Sequence, residues 1–78
     1  MTMQEQFDKI TKRVVRHARF LKKAGMGPGE VANKAWKFWD HQMNEMESKV
    51  GVYGHRDFIH EKMREREHLQ NMIKEIVR

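Results

Sequence analysis

Gly25-Met26-Gly27-Pro28-Gly29 holds three of the five glycines and the only proline of this 78-residue chain. The other two glycines close a second break, Gly51-Val52-Tyr53-Gly54. Glycine and proline are the strongest punctuation a sequence has, so the two clusters divide the chain into three stretches of similar length. Each stretch is long enough for a helix of about 30 Å. Helices are expected over about 3–24, 28–50 and 55–77, within a single helical domain covering 1–78.

The apolar residues of each stretch recur at three- and four-residue spacing, the period of a helix with one buried face. In the first stretch the stripe is Met3, Phe7, Ile10, Val14, Leu21 and Ala24, with Ala18 at its edge and Val15 off it. Gly25 suits the left-handed position just past a helix end, and Lys22 and Lys23 suit the negative end of the helix dipole. The second stretch opens with Pro28 at a first helical position, with Gly27 as a weak cap and Glu30 in the first turn. Its stripe is Val31, Ala32, Ala35, Trp39, Met43, Met46 and Val50, flanked by Trp36 and Phe38. The third begins near His55 to Asp57, with Asp57 as its N-cap, and its stripe is Phe58, Ile59, Met63, Leu69, Met72, Ile73, Ile76 and Val77. Lys62 and Arg66 interrupt that stripe, where long basic stems lie over apolar surface with their charges in water.

The fold class is therefore all-α, a three-helix up-down-up bundle with short turns. The alternative is a helical hairpin whose third helix projects or swaps to form an oligomer, because Lys62 and Arg66 break the third stripe. Cysteine is absent, so no disulfide or thiolate metal site supports the small core. No apolar run approaches the roughly 18 residues of a membrane span. The N-terminal Met1-Thr2-Met3-Gln4-Glu5-Gln6 lacks a signal-peptide core. A cytoplasmic location is the expectation.

Charge carries the functional signal. The chain is +5, yet Lys9, Lys12, Arg13, Arg16, Arg19, Lys22 and Lys23 put seven positive charges into 15 residues with no acid among them. Lys9, Lys12, Arg13, Arg16, Arg19 and Lys23 cluster opposite the apolar stripe of the first helix. Ordinary exposed faces mix both signs, so this row implies an acidic partner. Phe20 points away from the stripe, into the group formed by Arg13, Arg16 and Lys23, as an apolar contact within a basic field. Trp36, Phe38, Trp39, Met43 and Met46 are the strongest apolar group and read first as core, but Trp36, Phe38 and Trp39 do not easily all face one thin core, which puts one tryptophan, Trp36, at an interface. The partner-binding set is thus Lys9, Lys12, Arg13, Arg16, Arg19, Phe20, Lys23 and Trp36. An acidic protein surface or self-association is the expected partner, and nucleic acid the alternative, since phosphates reward clustered Lys and Arg through counterion release. An anionic membrane surface fits less well, because the apolar stripe is needed for the core.

Leu21-Lys22-Lys23-Ala24-Gly25-Met26-Gly27-Pro28-Gly29-Glu30-Val31-Ala32 resembles the lead into the first helix of a helix-turn-helix. A turn and a recognition helix should then follow within about ten residues. Instead Trp36-Lys37-Phe38-Trp39-Asp40-His41 continues the helical pattern, so no DNA-contacting role is carried over.

Nothing points to catalysis. His17, His41, His55, His60 and His68 include no i, i+4 pair, the spacing that puts two metal ligands on one helix face. Glu65 and His68 have the Glu-x-x-His spacing of di-iron bundles in a single copy, where two pairs and two further carboxylates are needed; they read as a surface pair. His55-Arg56-Asp57-Phe58 matches part of a kinase loop in a chain far too short for a kinase. Ser48 has no His–Asp partners, and the glycines around Pro28 lack a Gly-Lys-Ser/Thr ending. A non-enzymatic interaction protein, a regulator or adaptor without metal, cofactor or small-molecule substrate, is the expectation.

Overall fold

The computed structural model describes residues 2–50 and 55–78, with side chains at 2–49 and 56–78. Three helices follow in order, α1 (Met3–Lys23), α2 (Pro28–Val50) and α3 (His55–Val77), and each packs against the other two. The Gly51-Val52-Tyr53-Gly54 break and the side chain of Val50 lie outside the described residues.

Local chemistry fixes both ends of α1. Thr2 sits in extended conformation, and its Oγ1 accepts the Glu5 backbone N–H at 3.2 Å, relieving one of the free donors of the first turn. At the other end Gly25 has φ +95°, a conformation that costs an L side chain but not glycine. Its N–H donates to Lys22 O at 3.0 Å, and the Met26 N–H donates to Leu21 O at 3.2 Å. This pair of bonds is the Schellman arrangement, which turns the chain and satisfies the last carbonyls. Met26 then packs half-buried against the core. The Val31 N–H donates to Gly27 O at 3.0 Å, so α2 starts at the expected proline.

The helix directions follow from which residues meet. Phe7 of α1 lies against Phe58 of α3, ring centroids 5.6 Å apart, and Thr11 meets Glu65 further along, so α1 and α3 run parallel. In α2 and α3, Lys62 lies over Trp39 and Arg66 over Trp36, so this pair is antiparallel. The bundle is up-down-up. Its centre is filled by Phe7, Val14, Val31, Trp39, Phe58 and Leu69, with Met43 adapting to the irregular space among them.

Six residues depart from the sequence expectations. Val15 is buried rather than off the stripe, because α1 sits between two helices and its covered arc is wider than one stripe. Met63 and Ile59 are exposed, at 68% and 41%, and Ala24 is exposed just past the end of α1. Asp57 lies inside the first turn of α3 rather than capping it, where its charge still suits the helix dipole. Glu65 is only 7% exposed, so it is part of the core boundary and not a surface pair with His68. The reading of Lys62 holds: it is half-buried, with Nζ 5.9 Å from the Trp39 ring centre and 6.0 Å from that of Phe58.

Candidate functional site

Helix geometry sends Lys9, Lys12, Arg13, Arg16, Arg19 and Lys23 to the outer side of α1, and all six are exposed. From Lys9 to Lys23 the row is about 21 Å long. It is not wholly free of acid in space. Asp8 pairs with Lys12 at 3.0 Å, an exposed i, i+4 contact of small energetic weight.

The row is a ridge between two unequal flanks. Toward α2, Phe20 is 68% exposed and borders a shallow hollow with Arg13, Arg16, His17 and Phe38. His17 stacks on Phe38 at 5.3 Å with the rings 26° apart, so this boundary histidine is held by an aromatic contact between α1 and α2. Nearer the N-terminus the same flank meets acid, since Glu45 lines a hollow with Lys9 and Arg13.

Toward α3 the ridge overlooks a furrow. Its larger end, about 630 Å³, is bounded by Arg19, Lys22 and Lys23 of α1 and by Met72, Glu75 and Ile76 of α3. It runs on past Val15 to Lys12 and Arg16, sharing Arg19 and Met72 with that second hollow. The furrow therefore has an apolar floor, five cations on one rim and Glu75 on the other.

Trp36 does not belong to this assembly. It stands half-buried between α2 and α3 beside Trp39, Asp40, Lys62 and Arg66. The Trp36 and Trp39 rings meet edge to face at 5.6 Å, and the Arg66 guanidinium lies 5.9 Å over Trp36. Lys9, Lys12, Arg13, Arg16, Arg19, Phe20 and Lys23 share one helix, and Trp36 shares none of the hollows that border them.

Beneath the ridge lies one polar contact that sequence reading missed. Thr11 donates its hydroxyl to Glu65 Oε2 at 2.7 Å, and Gln4 Nε2 donates to Oε1 at 3.3 Å. Thr11 is 3% exposed. The floor residues Val15, Met72 and Ile76, and the acid Glu75, were also missed as site residues. Met72 and Ile76 were legible as apolar, but only the packing of α3 beside α1 brings them under the cations. Among the described residues no three or more His, Cys, Asp or Glu side chains come together in a way that could hold a metal ion. Among them, too, no helix is long and apolar enough to cross a membrane.

No family model, no curated protein and no solved structure matches this chain.

Proposed function

We propose that this protein is a non-enzymatic interaction module that docks an acidic protein surface on the outer face of α1. Lys9, Lys12, Arg13, Arg16, Arg19 and Lys23 supply the charge, and Phe20 supplies apolar contact. The supporting observation is that the cationic row lies between apolar flanks, with Phe20 and Phe38 on one side and Val15, Met72 and Ile76 on the other. A mixed surface of this kind suits a protein partner, whose interface combines an apolar centre with a charged rim. Phosphate backbone gives an apolar furrow nothing to bind, and Glu75 and Asp8 repel it.

Nucleic acid is the second reading, favoured by the unbroken run of cations along α1 and by Phe20, on which an unpaired base could stack. Titration of labelled random-sequence duplex and single-stranded DNA and RNA at low and high salt separates the two. The protein reading expects weak binding that disappears as salt rises. Tight binding with a steep salt slope, abolished by combined Arg13→Glu, Arg16→Glu and Lys23→Glu, would replace it with the nucleic-acid reading. In the protein reading the module acts inside the cell as a regulator or adaptor, with the partner bringing the chemistry.

A further inference from the structure

We infer that the occupant of the α1/α3 furrow is an acidic amphipathic helix supplied by the partner, seated as the fourth helix of a bundle. The inference rests on the acidic-protein reading above and narrows it to one groove and one kind of ligand.

Shape comes first. Two parallel helices lying side by side leave a groove into which a third can set its ridges, the packing that four-helix bundles repeat. The groove here runs from Lys12 to Lys23, about 16 Å or three helical turns. Its floor is apolar along that length, with Val15, Met72 and Ile76. Met72 is half-buried, and its unbranched side chain adapts to an incoming apolar residue. A helix satisfies its own backbone hydrogen bonds, as a ligand must when both walls are helices that offer no free backbone edge. An extended segment would find no ladder to join.

Charge then fixes the chemistry and the orientation of the ligand faces. Lys12, Arg16, Arg19, Lys22 and Lys23 stand along the α1 rim, and Glu75 stands on the α3 rim. The matching helix carries an apolar stripe at i, i+3, i+4 and i+7, Asp or Glu on the flank facing α1, and a Lys or Arg where it passes Glu75. A second copy of this chain fits poorly. Its net charge is +5, and its own α1 would set cations against cations.

The test is a fluorescence-polarisation titration of the whole protein with two labelled peptides of identical composition, each about 18 residues long, enough to span the furrow with a turn to spare at each end. One has Leu at heptad spacing with Glu on its flanks; the other has the same residues shuffled to remove the helical period. The amphipathic peptide should bind at least about tenfold more tightly than the shuffled one. Met72→Glu should remove that preference, as should Arg19→Glu, which alters an exposed side chain and keeps the test open if the first variant unfolds. Met63→Ala, at an exposed apolar residue of α3 outside the furrow, should leave it unchanged. Equal binding of the two peptides, or a preference that survives both furrow variants, overturns the furrow while leaving the basic face as a docking surface. A preference lost with Met63→Ala as well would not be located in the furrow and also overturns it. Failure of both peptides to bind at low salt sinks the furrow and the acidic-partner reading together.

Discussion

Thr11→Val tests whether the polar contact between α1 and α3 matters to the fold. Valine copies the shape of threonine but cannot donate. The 2.7 Å hydrogen bond to Glu65 is lost, and a carboxylate that is only 7% exposed keeps a single donor, Gln4 at 3.3 Å. A hydrogen bond to a charged group is worth about 1.5–3 kcal/mol. The methyl that replaces the hydroxyl recovers at most about 0.8 kcal/mol by burial. The net loss is therefore about 1–2 kcal/mol, and in a domain of this size that lowers Tm by roughly 4–16 °C.

The double variant carries the sharper expectation. Glu65→Leu removes the carboxylate, and in its absence the Thr11 hydroxyl can turn back to the carbonyl four residues before it, at Phe7. With both groups made apolar, no desolvated carboxylate is left to satisfy, and replacing a buried polar pair by apolar groups of similar shape is often neutral or stabilising. Thr11→Val combined with Glu65→Leu should thus be at least as stable as the parent, with a coupling of about 1–2 kcal/mol between the two sites. Urea unfolding followed by far-UV circular dichroism reads all four proteins. A single Thr11→Val within about 0.5 kcal/mol of the parent, or a double variant equal to the sum of the singles, would refute this reasoning.

Other substitutions probe separate features. Gly25→Ala meets open space but is forced into φ +95°, so it should lose about 1 kcal/mol in the same urea assay. Trp39→Phe should be milder than Trp39→Ala, because the buried indole N–H has no protein partner to lose; the alanine variant should cost about 3–5 kcal/mol, measured by thermal unfolding. Met63→Glu, at a position the apolar pattern assigns to the core, should change stability by no more than about 0.5 kcal/mol, since the side chain is 68% exposed.

The three helices were legible because their punctuation is concentrated. Gly25, Pro28 and the second glycine cluster left little choice of where helices could run, and the observed bounds differ from the expected ones by a residue at most. The faces were harder to read. A single apolar stripe describes a helix with one neighbour, whereas α1 has two. On a helical wheel Val15 lies about 80° from Phe7, outside a narrow stripe but inside the arc that two neighbours cover. Ile59 and Met63 fail in the opposite sense: they sit about 100° and 140° from Phe58 at 100° per residue, beyond what α1 and α2 reach. The surroundings of Trp36 were closed to sequence reading for the same reason. Periodicity says that Trp36 flanks the buried face of α2, but not which neighbouring helix lies on that flank. Only the assembled bundle puts it beside Lys62 and Arg66, away from the cations of α1.

Glu65 links the hidden part of the structure to the proposed site. Of the buried residues of α1, which are Phe7, Ile10, Thr11, Val14, Val15, Ala18 and Leu21, Thr11 alone carries a side-chain donor. Sliding α3 by one turn along α1 in either direction would set the Glu65 carboxylate against Phe7 or against Val14 and Val15 and break its hydrogen bond to the Thr11 hydroxyl. Losing a hydrogen bond to a charged group costs about 1.5–3 kcal/mol, a noticeable share of the stability of a domain this small. A contact of this kind favours one register without adding net stability when apolar groups could replace it, and the apolar double variant tests that. One turn beyond Thr11 on α1 is Val15, and two turns beyond Glu65 on α3 is Met72. Those residues form the floor beneath Arg16 and Arg19. The polar contact between α1 and α3 and the apolar strip under the cations therefore lie one or two turns apart on the same pair of helices, and a variant that shifts one helix along the other should be read at both.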